Sequence, residues 1–207
     1  MNDRDELNEM EQGLIAHAKN GSINRINNLM EEGATLFNVK EEMLHASASN
    51  GRLEVVKFLE EKYGEDLYED YPKKNAFTDA AGNGKNNILS YYIDQGFDVK
   101  TEGYNALIQS SRNGHLNTVK FLFESGMESS NKNNDAIKWA AHHGKLDVVD
   151  FLAAHGADMN IAKEQIKNHA QQNVKDMFAE AERKKFADRL AKSLPQAKKP
   201  SNNKMKI

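Results

Sequence analysis

The sequence predicts an all-α solenoid of stacked antiparallel helix pairs, and three observations carry that prediction. Glycine closes the same ten-residue phrase five times, at Gly21, Gly51, Gly84, Gly114 and Gly144, with a second glycine twelve or thirteen residues beyond each, at Gly33, Gly64, Gly96, Gly126 and Gly156. Apolar residues before and after each first glycine recur at helical spacing. Successive first glycines lie 30, 33, 30 and 30 residues apart, so the links are short and the helices must return antiparallel and stack in line.

The first helix of each unit is read from the phrase that the glycine closes. Its third place holds a large apolar residue, Leu14, Leu44, Phe77, Leu107 or Ile137. Small residues follow at the sixth and seventh places, as in Ala80-Ala81, Ser110-Ser111 and Ala140-Ala141, with His17 the exception. Residues three and four apart share a helix face, and small side chains there let a neighbouring helix approach closely. Asn20, Asn50, Asn83 and Asn113 precede their glycines, the pairing expected where a helix ends on a left-handed residue.

A second helix follows each glycine with its own ladder, such as Leu53, Val55, Val56, Phe58 and Leu59, or Leu146, Val148, Val149, Phe151 and Leu152. Such a stripe is broad enough to cover both the partner helix and the adjoining unit. The second helix of the opening unit is more polar, with Asn24, Asn27 and Asn28, as befits an end cap. At the other end an atypical sixth unit places Ile166 in the third-place role with Ala170 after it and Asn173 where the glycine would stand. Val174, Met177 and Phe178 then begin a shortened or fused second helix, and Glu180, Glu182, Arg183, Lys184 and Lys185 give it a wet outer face. The expected division is one domain over residues 1–192 and a flexible basic tail over 193–207, where two prolines and several lysines leave little to bury.

The chain of 207 residues has no cysteine, which removes disulfides, thiolate chemistry and cysteine-based metal sites. Its start is too acidic for a secretory signal and no apolar run is long enough to span a membrane, so a cytoplasmic monomer is expected. The formal charge of -3 hides an asymmetry: residues 1–100 carry 19 acidic and 11 basic side chains, net -8, and residues 101–207 carry 12 and 17, net +5. Such a long dipole steers a charged partner to one end.

These units resemble ankyrin repeats. The resemblance rests on Leu44-His45 with Gly51 and Leu53-Glu54-Val55-Val56-Lys57-Phe58-Leu59, on Asn113-Gly114-His115-Leu116, and on Ala140-Ala141 with Gly144 and the closing Gly156-Ala157-Asp158. It covers about residues 10–180 and implies five recognisable repeats plus the C-terminal cap. The family's Thr-Pro helix start is absent throughout, and Asn75, Asn105 and Asp135 are the side chains expected to cap helices in its place. His45 takes the family's helix-start histidine position, implying a structural hydrogen bond to nearby backbone. Spacings of 30, where the family uses 33, imply trimmed turns between units.

The resemblance implies a noncatalytic protein-binding module that uses a concave face and inter-repeat turns. Projected onto that fold, the fifth, eighth and ninth places of the first helices supply Asp79, Gln109, Arg112, Trp139, His142 and His143 as contact candidates. Trp139 is the sole tryptophan, a residue type favoured at binding hot spots, with packing against the sixth unit as its alternative role. Tyr68 and Tyr71 lie among carboxylates in the least repeat-like segment and suit a basic or amphipathic partner. A metal site at His142 and His143 is geometrically awkward, because helix neighbours diverge by about 100°. No cofactor is called for.

A small adaptor or inhibitor is the leading functional reading. Beside it stand a microbial or viral effector that sequesters a host protein after delivery, and a tether to nucleic acid or anionic lipid through the basic tail. An enzyme fits poorly, since there is no nucleotide-binding glycine loop, no HExxH and no convergent acid, base and nucleophile.

Overall fold

The computed structural model describes residues 3–63, 70–128, 133–169 and 171–193. The described residues form helices that alternate in two roles. The first helices are α1 (Asp3–Asn20), α3 (Lys40–Ser49), α5 (Asp70–Gly82), α8 (Tyr104–Asn113), α10 (Asn133–His142) and α12 (Met159–His169). Each is followed by a second helix: α2 (Ile23–Glu31), α4 (Leu53–Tyr63), α6 (Asn86–Asp94), α9 (Leu116–Glu124), α11 (Leu146–Ala154) and α13 (Gln172–Ser193). A single turn, α7 (Val99–Glu102), precedes α8.

The third-place residues Leu14, Leu44, Phe77, Leu107 and Ile137 are all fully buried, as are the small pairs Ala80-Ala81, Ser110-Ser111 and Ala140-Ala141. Burying a large apolar side chain stabilises by about 1.5–3 kcal/mol, and here each does so between layers, so no layer is stable without a neighbour. Successive first helices pack closely all along the chain, whereas the second helices touch one another sparsely. The second-helix row is therefore splayed, and the array is concave on the first-helix side. The result is an all-helical solenoid of stacked helix pairs.

Gly114 shows why glycine closes the phrase. It takes φ +83° and ψ 24°, and the His115 N–H turns back to the Ser110 carbonyl at 2.9 Å. That left-handed geometry is strained for any side chain with a Cβ. A Cβ there would also lie 2.7 Å from the Lys145 Cδ, because the lysine chain of the next layer lies across the glycine. The same seat recurs: Arg52 lies over Gly21, Lys85 over Gly51, His115 over Gly84 and Val174 over Gly144. Cross-layer hydrogen bonds follow the same line, with Arg52 Nε donating to the Lys19 carbonyl at 3.0 Å and Asn113 Nδ2 to the Gly82 carbonyl at 2.6 Å.

Several expectations change in the structure. Asn75 lies inside α5, which begins at Asp70, and Asn105 lies inside α8, whose N-cap is Gly103. Asp135 is in the first turn of α10 and accepts a hydrogen bond from the Tyr104 hydroxyl of the preceding layer. None of the three is an N-cap, because these helices start one or more residues earlier than the repeat phrase does. The sixth second helix is neither shortened nor fused: α13 is a separate helix of 22 residues. The link before α8 is a helical turn capped by Asp98, whose carboxylate accepts from the Lys100 N–H at 2.9 Å. Tyr68, Ala170 and residues 194–207 of the expected tail lie outside the described residues, and so does the side chain of Tyr71. Among the described residues no helix is long and apolar enough to cross a membrane.

Candidate functional site on the inner face

The repeat places residues 109, 112 and 113 of α8 in register with 139, 142 and 143 of α10, and helical periodicity turns each set toward the concave side. Layer stacking then brings the two sets together. The Arg112 guanidinium lies 5.3 Å from the Trp139 ring centre, and Arg112 Nε–H donates to His143 Nε2 at 3.2 Å. The His143 ring stacks nearly parallel to Trp139, at 6.0 Å and 18°, while His142 meets Trp139 edge-on at 5.9 Å and 81°. Trp139 remains 39% exposed, so the largest apolar ring on this face is fixed from its sides and still open to solvent.

Accepting the arginine proton makes His143 Nε2 a lone-pair site, which puts the proton of the neutral ring on Nδ1. Burial holds the His143 pKa below the usual 6.5, and the neighbouring His142, Arg112 and Lys145 push it the same way. On the far side α12 contributes Gln165, whose amide nitrogen lies 2.9 Å from His142 Nδ1. Trp139, His142, Gln165 and Lys138 together line a hollow of about 290 Å³. A second hollow of about 390 Å³ continues from Lys138 and Gln165 toward Asn134, Asp135, Ile161 and Glu164.

Four of the sequence candidates, Arg112, Trp139, His142 and His143, thus form one cluster. Gln109 stands beside it on α8, where its Cβ packs over Gly82. Asp79 is engaged elsewhere: it binds His45 Nδ1 through Oδ2 at 2.5 Å, across α3 and α5. The expected backbone partner of His45 is therefore replaced by a carboxylate, and that hydrogen bond, outweighing partial burial, raises the histidine pKa above 6.5. Sequence reasoning missed the contributions of Lys138 and Gln165, because only the stacking of α12 on α10 decides which of its residues meets Trp139. It also missed Phe37, a turn residue 72% exposed with the Lys40 ammonium 5.2 Å from its ring centre. A lone phenylalanine in an irregular link has no period to mark it.

The histidines near the cluster serve different contacts. His155 stacks on Phe151 at 4.0 Å with Nδ1 2.8 Å from the Phe151 carbonyl oxygen, and His115 sits over Gly84. Among the described residues no group of three or more His, Cys, Asp or Glu side chains is placed to hold a metal ion.

The family model described as ankyrin repeats, in three copies, matches residues 77–163, from Phe77 in α5 to Lys163 in α12. That stretch of the chain is similar to ankyrin repeats. The matched span includes the whole Arg112–Trp139–His143 cluster, so the site lies within the part of the solenoid that is similar to ankyrin repeats. Among curated proteins none matches the chain.

Proposed function

We propose that this protein is a noncatalytic protein-binding module, acting as a small adaptor or inhibitor that holds its partner on the concave face and inter-repeat turns. Residues 1–192 are read as one domain of five ankyrin repeats and a C-terminal cap, working in the reducing cytoplasm that suits a chain without cysteine. The observation that carries the reading is Trp139, exposed on the inner face yet held in place by Arg112 and His143 beside a hollow. A rigid aromatic ring next to an arginine is the composition of an interface hot spot, since little side-chain entropy remains to be lost on binding.

Gln109 and Asp79 extend this surface toward the N-terminal layers, and Tyr68 with Tyr71 is read as a second contact region. The test is affinity capture from the source cell with three baits: the native chain, a Trp139→Ala/Arg112→Ala double variant and a Tyr68→Ala/Tyr71→Ala double variant. A specific partner held by the native chain should be lost from the first variant and weakened by the second. A partner retained undiminished by both would overturn the surface assignment, provided circular dichroism shows each variant folded.

A further inference from the structure

The Trp139 hollow is apolar at its floor and cationic at its rim. Arg112 donates its Nε–H to His143, and the terminal guanidinium nitrogens belong to an exposed side chain beside Trp139. Among the described residues neither Arg112 nor Lys138 has a carboxylate within ion-pair distance. The neighbouring groups that bear on His143 are His142, Arg112 and Lys145, and all three disfavour a further positive charge. Among the described residues that line the two hollows, the carboxylates are Asp135 and Glu164, both in the second, and Asp135 is already bonded to Tyr104.

We propose that the hollow takes an acidic peptide segment, with one apolar side chain seated against Trp139 and His142 and a neighbouring carboxylate held by the Arg112 guanidinium and the Lys138 ammonium. The inference rests on the reading of the inner face as the protein-binding surface and adds the chemistry of what binds there. An unpaired arginine already aligned on an aromatic ring binds a carboxylate with little further ordering, and the apolar floor excludes water from that pair. A basic segment would meet two unpaired cations at the same place.

Because Trp139 is the only tryptophan, its fluorescence reports the hollow directly. The probes are three synthetic peptides of one length: leucine and phenylalanine among glutamates, the same sequence with glutamine for glutamate, and the same with lysine for glutamate. The acidic peptide is expected to shift the Trp139 emission and to bind roughly tenfold more tightly than the glutamine form, with the advantage shrinking as salt rises. Arg112→Gln and Lys138→Gln are exposed changes that leave the core untouched, and each should erase most of that advantage when binding is followed by calorimetry.

Equal affinity for the glutamine peptide, tighter binding of the lysine peptide, or an acidic peptide that leaves Trp139 unperturbed would each overturn the proposal. If the acidic peptide fails while a captured cellular partner is still lost by Trp139→Ala, the inner-face reading survives and only the acidic chemistry falls. If the captured partner ignores Trp139→Ala as well, both fall.

Discussion

The inner face carries two histidine-centred clusters, and they differ in whether their polar groups are already satisfied. In the N-terminal layers His45 of α3 is bonded to Asp79 of α5, a closed pair of opposite character that leaves little for a partner to gain. In the C-terminal layers His143 is bonded to Arg112, two groups that do not neutralise one another, beside a tryptophan open to solvent. The same repeat register produces both, since Asp79, Gln109 and Trp139 occupy equivalent places. Scaffold geometry therefore supplies the position, and the side chain at that position decides whether it stiffens the stack or stays available for recognition.

The largest expected effect separates core aromatic from surface aromatic. Phe77 is fully buried and stacked on Phe97 at 4.0 Å, so Phe77→Ala should cost about 3–5 kcal/mol in urea unfolding. Trp139→Ala should cost less than about 1 kcal/mol in the same measurement. Comparable losses from the two would mean that Trp139 is a packing residue, and the contrast between the clusters would collapse.

A middle-sized effect tests the joint that places the C-terminal cluster. Gly114→Ala puts a Cβ at φ +83° and against Lys145, and should destabilise by about 1–2 kcal/mol. Gly33→Ala meets a positive φ of +107° but no atom within 4 Å, so it should be the milder of the two. Melting temperatures of both variants measured side by side decide the order.

The smallest effect is a pH signature of opposite sign in the two clusters. The His45 pKa is raised from 6.5, chiefly by the Asp79 hydrogen bond, so its stabilisation is full below pH 6.5 and is lost as pH climbs through the raised value. The His143 pKa is lowered from 6.5, chiefly by burial, so its contribution is full above pH 6.5 and is lost as pH falls toward the lowered value. Asp79→Asn should flatten the alkaline side of a stability–pH curve, and Arg112→Gln should make the acid side shallower. Urea midpoints taken across the range show which limb each variant changes; the reverse assignment would contradict the pairing described.

Most of the scaffold is legible in the sequence alone. Leu14, Phe77 and Ile137 were placed in the core by period alone, since a helix that buries one stripe must repeat its apolar residues every three or four positions, whatever surrounds it. The helix ends were legible for the same local reason: the left-handed conformation at Gly114 is governed by the absence of a Cβ. Helix starts were not, and Asn75, Asn105 and Asp135 show why. A start depends on which layer reaches back to stabilise it, and Gly103, Tyr104 and Asp98 are where the stack settled that question.

The site divides along the same boundary. That Arg112, Trp139, His142 and His143 face one way follows from counting residues along helices. That Arg112 lies against Trp139, that Gln165 and Lys138 complete the hollow, and that Asp79 is occupied by His45 follows only from how neighbouring layers are offset. Local periodicity is a property of a single helix and is written in the chain. Contacts between side chains thirty residues apart depend on interlayer distance and rotation, which emerge only when the buried small residues have decided how closely the helices approach.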